Sequence, residues 1–281
     1  MQLPLEPEPS SEPPPSSSAA QLSFAAQLSF AARGVRAGFV SFTRLPLGGY
    51  PYRADDWRWA PAHLPLVGAS IGAVAAGLWW LCGVAGLGPS IAATLALGAS
   101  VLMSGALHED GLADAADGLG GGHDRERALS IMKDSQIGTY GALALGFSLL
   151  VRVAAISSLQ AGDGFWLIAV HCLARVGPVR LMLTEPYVSA PQSAKSPHFL
   201  PIGRAQLLVA LGWAALVLAL GMLTGWLPLF GAACVPVALI LLTVLAGRYF
   251  RKAVGGITGD LLGAVEQVSE IAAWLVLLAC R

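Results

Sequence analysis

Residues 108–141 read HEDGLADAADGLGGGHDRERALSIMKDSQIGTYG and form a long polar stretch in a chain that is otherwise largely apolar. Five Asp, two Glu, two Arg and one Lys fall between residues 108 and 134. Asp110, Asp114 and Asp117 are spaced i, i+4 and i+7, which places them within roughly 60° of one another on a helix. Like charges at this spacing repel each other, so the stripe favours a bound divalent cation.

The composition outside this stretch is typical of a polytopic membrane protein. Of the 281 residues, 55% are hydrophobic and 12% are charged, whereas soluble domains carry about 25% charged residues. Several apolar runs approach or exceed the roughly 20 residues that a membrane-spanning helix needs. We therefore expect an all-α membrane bundle of about seven transmembrane helices, at residues 64–86, 88–107, 138–160, 164–185, 206–226, 229–249 and 262–280.

The connections between these runs differ sharply in charge. If the runs cross the membrane alternately, one side receives residues 1–63, 108–137, 186–205 and 250–261, which together carry twelve Lys and Arg residues, and the other side carries Arg281 alone. Positively charged loops mark the cytoplasmic side. The sequence therefore predicts a cytoplasmic N-terminus and a site that faces the cytoplasm.

The two ends of the chain differ in character. Residues 1–32 are predicted to be a disordered Pro- and Ser-rich tail, and residues 33–281 to form the membrane-embedded domain. The first residues are acidic, unlike those of a signal peptide. The four cysteines lie singly in apolar runs and are interpreted as packing residues. A net charge of zero and the absence of a recognisable motif argue against a nucleic-acid partner.

The acidic stripe and its surroundings suit phosphate chemistry. Hard oxygen ligands without Cys or paired His favour Mg²⁺ or Mn²⁺, and Mg²⁺ usually completes its shell with substrate phosphates. The glycine run that ends in Gly121 and Gly122 can break the acidic helix and let backbone amides approach an anion, or it can form a plain turn. Arg125, Arg127 and Lys133 can bind phosphates or face water and acidic lipid headgroups.

Charged residues inside the apolar runs are costly and should face the bundle interior or a watery cavity. Arg152, Arg175 and Arg180 are such residues, although Arg180 can instead extend towards the membrane surface. Glu266 and Glu270 also lie within a run and need cationic partners. Arg152 and Arg175 are the candidates.

Three stretches together resemble the cobalamin synthase family, the adenosylcobinamide-GDP ribazoletransferases. They are FVSFTRLPL (39–47) with the later LPLVG (64–68), the central acidic block, and GGITGDLLGA (255–264). The resemblance covers nearly everything after residue 33. It implies an integral enzyme of the bacterial inner membrane at the end of cobalamin biosynthesis. Such an enzyme joins α-ribazole, or its 5′-phosphate, to the cobinamide phosphate of adenosylcobinamide-GDP, releases GMP and requires Mg²⁺.

Roles for individual residues follow as hypotheses. We expect Asp110, Asp114 and Asp117 to bind one or two Mg²⁺ ions. The general base is His108, Glu109 or Asp134, and the sequence does not choose among them; helical spacing places His108 about 160° away from Asp110. Contacts to the substrates are expected from Gly121, Gly122, Arg125, Arg127, Lys133, Arg175 and Asp260.

Two other classes of protein remain as alternatives. A CDP-alcohol phosphotransferase also carries an Asp-rich helix end, but that family's pattern needs an Ala-Arg pair after the first aspartates, and none follows Asp114 and Asp117. A membrane transporter or channel would explain charged residues inside spans. Against it, the polar residues concentrate at one membrane face and no inverted repeat is visible. The oligomeric state is left open.

Overall fold

A computed structural model of the chain describes residues 34–48, 54–188 and 202–280. The predicted tail, residues 1–32, lies outside this part. The described residues are almost entirely helical, with one isolated parallel bridge between Tyr187 and Ile257. In chain order the helices are α1 (34–42), α2 (Ala54–Trp59) followed by a 3₁₀ turn (Ala60–His63), α3 (Leu64–Val84), α4 (Pro89–Ser104), α5 (Leu107–Gly121), α6 (Arg125–Ile131), α7 (Thr139–Ser157), α8 (Phe165–Ala174), α9 (Val176–Thr184), α10 (Arg204–Leu223), α11 (Leu229–Val254) and α12 (Gly259–Ala279).

The fold is the expected all-α membrane bundle. Among the described residues, six helical segments are long and apolar enough to cross a membrane, and the bent pair α4–α5 makes a candidate seventh. Large apolar side chains cover the outside of the bundle: Leu102 is 77% exposed and Leu223 is 85% exposed. Such a surface suits lipid rather than water. The orientation of the N-terminus stays a prediction.

The acidic helix α5 is set at an angle by a sharp turn. Gly105 and Ala106 both adopt positive φ angles, of 69° and 59°, and α5 leaves α4 at 88°. A left-handed conformation is strained for alanine because of its Cβ. The surrounding packing holds this turn, which aims the start of α5 into the bundle.

A second interruption lies between α8 and α9, at Arg175. Pro178 has no backbone N–H to donate to the carbonyl of Ala174, four residues earlier, so the helical hydrogen-bond ladder cannot continue unbroken. The side chain of Arg175 is 3% exposed and lies in the interior.

Helix α5 packs against α7 and α12 at the centre of the molecule. Glycines make the contact with α12 very close. A Cβ atom added to Gly111 would lie 2.9 Å from the carbonyl oxygen of Asp260, and one added to Gly263 would lie 3.3 Å from the Cα atom of Gly111. The backbones therefore touch, which brings the first turns of α5 and α12 together.

Candidate active site

The first turns of α5 and α12 and the broken span α8–α9 enclose a cleft of about 290 Å³. Its polar wall contains His108, Asp110, Arg175 and Asp260. Apolar side chains from the N-terminal part of the chain and from α9 form the remainder, among them Phe42, Trp57, Leu64 and Met182. A mostly apolar cleft with a few convergent charged groups is the usual form of a small-molecule site.

Two of the three predicted aspartates belong to an acidic cluster at this cleft. The carboxylate of Asp114 interacts electrostatically with those of Asp110 and Asp260, with the ammonium group of Lys133 and, least strongly, with the carboxylate of Asp117. Lys133 Nζ lies 3.4 Å from Asp260 Oδ2, and the hydroxyl of Thr258 donates to the same oxygen at 3.3 Å. Carboxylates thus outnumber the nearby cations, which favours binding of a divalent ion.

Asp117 has a different environment. Its two carboxylate oxygens accept hydrogen bonds from the backbone N–H groups of Gly138 at 2.7 Å and Gly141 at 2.8 Å. These amides belong to the first turn of α7, whose own N-cap residue is a glycine without a side-chain cap. Asp117 therefore caps α7 and complements the positive end of its dipole. Its predicted role as a metal ligand stays a prediction.

The donor set at the cleft fits Mg²⁺ in its chemistry. Asp110, Asp114 and Asp260 offer hard oxygen ligands, and Mg²⁺ often uses only one or two carboxylates and keeps several waters. The described residues contain one group of three ligand atoms within 4.8 Å of one another, and it is His171, Glu266 and Glu270 instead. The guanidinium group of Arg175 already neutralises both of these glutamates.

The structure separates the three candidates for the general base. His108 lines the cleft, and its Nδ1 atom lies 3.6 Å from Glu266 Oε2. Glu109 instead faces the interior, where Arg152 binds it at 3.3 Å. Asp134 is exposed and accepts a hydrogen bond from the amide of Gln136 at 3.0 Å, a local turn.

One expectation about His108 was incomplete. Helical spacing places it on the side of α5 opposite Asp110, yet both side chains line the same cleft. The physical reason is that the cleft surrounds the start of α5, so Leu107 and Gly111 line it as well. At a helix end, residues on different sides can meet one cavity.

A buried ionic network lies next to the cleft, as the charged residues in the spans predicted. Arg175 Nη1 lies 2.7 Å from Glu266 Oε1 and 3.3 Å from Glu270 Oε1. Arg152 Nη1 lies 3.1 Å from Glu270 Oε2, and Arg152 also binds Glu109. Burying such charges is tolerable only because they are paired. The predicted pairing of the glutamates with Arg152 and Arg175 is confirmed.

This network also corrects the argument that polar residues concentrate at one membrane face. Glu270 lies near the middle of α12, roughly 16 Å from its start and roughly 14 Å from its end at 1.5 Å per residue. Charged groups therefore do occur deep in the bundle. They bind one another, however, so they give no separate support to a path for a transported solute.

The acidic helix α5 ends within the glycine run, at Gly121, as the sequence indicated. Gly122 is the C-cap residue, and a Cβ there would lie 2.5 Å from the Cα atom of Ala128 in α6. The run thus permits close packing of α6 on α5. Arg125 of α6 lies against Gly255, at the end of α11, while Arg127 is exposed.

Sequence reasoning missed two neighbours of the site. His171 Nδ1 contacts a carboxylate oxygen of Glu270, and the only sign of this in the sequence is the position of His171 four residues before Arg175 on the same helical face. Tyr187 lies near Asp260: burial, and then the negative charge of Asp260, raise the pKa of its phenol. Tyr187 therefore remains a neutral hydrogen-bond donor, and no local sequence pattern indicates this.

The geometry defines a class of protein, a polytopic helical membrane enzyme with an acidic cleft suited to metal and phosphate. A family model described as cobalamin-5-phosphate synthase matches residues 34–278. The chain belongs to this family, and it is a transferase of cobalamin biosynthesis.

Curated relatives agree with the family match. The adenosylcobinamide-GDP ribazoletransferase of Leptothrix cholodnii is 42% identical over 245 residues, covering 85% of this chain and 92% of the relative. The proteins of the same name from Shewanella frigidimarina and Ralstonia nicotianae are 42% and 38% identical over 251 and 248 residues. Each alignment covers 85% of this chain, and 91% and 92% of the respective relatives. A search of the solved structures found no match.

Proposed function

We propose that the protein transfers the adenosylcobinamide phosphate moiety of adenosylcobinamide-GDP to the 5′-hydroxyl of α-ribazole or of α-ribazole 5′-phosphate. The products are adenosylcobalamin, or its 5′-phosphate, and GMP. The observation that carries this proposal is the cleft in which His108, Asp110, Arg175 and Asp260 converge. The names of the curated relatives supply the substrates.

His108 is the general base of this reaction. Its imidazole accepts the proton of the attacking hydroxyl as the new bond from oxygen to the cobinamide-side phosphorus forms and the bond to the GMP oxygen breaks. Arg175 Nη2 and Glu266 Oε2 lie 3.4 Å and 3.6 Å from His108 Nδ1, so we assign the role of base to the other ring nitrogen, Nε2. Arg175 lines the same cleft and can contact a phosphoryl oxygen there, while Glu266 and Glu270 share its positive charge.

Asp110 and Asp114, with Asp260 beside them, would hold Mg²⁺, and the bound ion would neutralise charge on the diphosphate. Lys133, which follows α6 and pairs with Asp260, and Arg125, which begins α6 and lies against Gly255, are the cations that would balance charge on the leaving GMP. Positioning and charge neutralisation are the main requirements of phosphoryl transfer, because the protein supplies little covalent chemistry.

The direct test is an assay with purified full-length protein in detergent. We expect GMP and a cobalamin product to appear when adenosylcobinamide-GDP, α-ribazole and Mg²⁺ are supplied, with no GMP after chelation by EDTA and recovery on adding Mg²⁺. If GMP formation is unchanged in EDTA, the proposed requirement for Mg²⁺ is wrong. If corrinoid or Mg²⁺ crosses the membrane of proteoliposomes and no GMP is released, the proposed transferase activity is wrong and the protein is a transporter.

We also propose that the cleft faces the cytoplasm of a bacterial cell, with the protein in the inner membrane, because the connections at this end carry most of the positive charge. Single cysteines introduced as Arg127→Cys and Gly162→Cys test it, since the connections in which they lie are expected on opposite sides. In spheroplasts an impermeant thiol reagent should label Gly162→Cys and spare Arg127→Cys until the membrane is permeabilised. The reverse pattern contradicts this orientation.

A further inference from the structure

A second cleft, of about 470 Å³, opens on the outside of the bundle where α9 and α11 end. Four of its six lining residues are cationic and one is acidic. They are Arg180, Glu185, Val244, Arg248, Arg251 and Lys252. The excess of positive charge makes this basic cleft suitable for an anion.

Only part of this charge is compensated by the protein. Arg251 Nε donates to Glu185 Oε2 at 2.8 Å, which fixes the guanidinium group at one wall. Within residues 34–48, 54–188 and 202–280, Arg180, Arg248 and Lys252 form no ion pair with a carboxylate. Three cations therefore remain for a ligand.

The basic cleft continues an apolar stripe along α11. Val237, Leu241 and Leu245 are 66%, 59% and 53% exposed. With Arg248 and Lys252 they follow a spacing of four, four, three and four residues, which keeps all five on one side of the helix. The same helical face is therefore apolar within the membrane and basic at its end.

Helix α9 separates the basic cleft from the site of the proposed reaction. Arg175, Pro178 and Met182 line the acidic cleft, whereas Arg180 and Glu185 line the basic one. Arg180 lies about 160° around the helix from both Pro178 and Met182. An anion in the basic cleft is thus a helix diameter, roughly 10 Å, away from the reacting phosphates.

We propose that the basic cleft binds the phosphate of an anionic phospholipid whose acyl chains lie along the apolar stripe of α11. Basic pockets between transmembrane helices are the usual sites for acidic lipid headgroups. The cleft lies at the same end of the bundle as Asp260, because the segment after α9 pairs with the loop before α12 through Val188 and Ile257. The lipid is a structural ligand of the α9–α11 contact and is distinct from the substrates.

The test measures lipid binding to the full-length protein in detergent, by native mass spectrometry and by thermal unfolding. Diacyl phosphatidylglycerol should remain bound and raise Tm, and phosphatidylcholine should do neither. The affinity for phosphatidylglycerol should fall about fivefold for each cation removed in Arg248→Gln and Lys252→Gln. Both residues are exposed, so the lipid-free Tm of the variants should equal that of the wild type.

Arg204→Gln is the matched control, because Arg204 is also exposed and begins α10. It should keep wild-type lipid affinity. An equal loss in Arg204→Gln would show attraction to general surface charge and overturn the proposal, as would unchanged affinity in Arg248→Gln/Lys252→Gln. A similar rise in Tm with soluble glycerol 3-phosphate would assign the cleft to free phosphate compounds instead of lipid.

Discussion

Asp114 is the residue on which the proposed magnesium chemistry depends most directly. Replacing it by Asn removes a charge from the acidic cluster but keeps the side-chain shape. We expect Asp114→Asn to lower the rate of GMP release more than about 100-fold, since weaker changes around metal sites already cost 10–100-fold. Because like-charge repulsion with Asp110 and Asp260 is relieved, its Tm in Mg²⁺-free detergent should be unchanged or higher.

Glu126→Gln is the control for Asp114→Asn, because Glu126 is an exposed acidic residue on the neighbouring α6. It should retain wild-type activity. Near-normal turnover of Asp114→Asn at saturating Mg²⁺ would be inconsistent with a metal ligand at this position.

Asp117 is expected to affect stability more than chemistry. Asn retains one acceptor oxygen but loses the negative charge of the carboxylate to which the backbone N–H groups of Gly138 and Gly141 donate. Asp117→Asn should therefore destabilise the protein by about 1 kcal/mol, measured as a fall in Tm, and keep the wild-type dependence of GMP release on Mg²⁺ concentration. A large increase in the Mg²⁺ requirement would support the predicted role of Asp117 as a metal ligand.

The residue spacing predicted part of this site for a clear physical reason. Asp110 and Asp114 are one helical turn apart, so their clustering follows from the helix alone. The role of Asp117 depends on where α7 begins, and the addition of Asp260 depends on how α12 crosses α5. Neither tertiary contact has a signature in local sequence.

At the level of elements, the crossing of α5 and α12 sets the width of the acidic cleft. Gly111→Ala would place a methyl group 2.9 Å from the backbone oxygen of Asp260. A backbone atom cannot relieve this clash by a change of rotamer, so the two helices must move apart. We expect a loss of about 1–3 kcal/mol in stability from overpacking. Activity should also fall, because the displaced helices carry Asp110 and Asp260 apart.

Gly98→Ala in α4 is the matched substitution, since no neighbouring atom lies within 4 Å of the added Cβ. It should leave activity unchanged and stabilise the protein by up to about 1 kcal/mol through helix propensity. Comparison of Tm and GMP release across the two variants checks both expectations. Equal behaviour of the two alanines would contradict a close helix crossing.

The helices themselves were predictable from hydropathy, because each apolar run is long and ends in polar or glycine-rich residues. Their bends were not. The turn between α4 and α5 depends on Ala106 in a left-handed conformation. Alanine rarely adopts this conformation, so its presence in the sequence does not predict such a turn. The end of α5 at Gly121 was, in contrast, indicated by the glycine run, because glycine weakens a helix.

For the whole molecule, the buried ionic network is a major determinant of stability. Arg152 is 1% exposed and neutralises Glu109 and Glu270. Arg152→Met should cost about 3–5 kcal/mol, because it leaves the buried Glu109 without its cation and leaves Glu270 with Arg175 alone of its two arginine partners. The measurement is unfolding in detergent, with Arg127→Met, an exposed arginine, as the control.

The double variant Arg152→Met/Glu109→Gln should recover part of that loss, since one of the stranded charges is removed with its partner. No recovery would mean that Glu109 and Arg152 contribute independently. A single variant as stable as Arg127→Met would show that the network adds little to the fold.

The same network has a consequence for biogenesis. A chain emerging from the ribosome inserts α7 and α8–α9 before α12 exists. Arg152 can pair with Glu109 as soon as α7 is inserted. The carboxylate partners of Arg175 are Glu266 and Glu270, and both lie in α12. Until α12 is inserted, Arg175 lacks both of these carboxylate partners, and an unpaired arginine within an apolar segment is costly, so we expect the insertion of α12 to stabilise the helices that precede it.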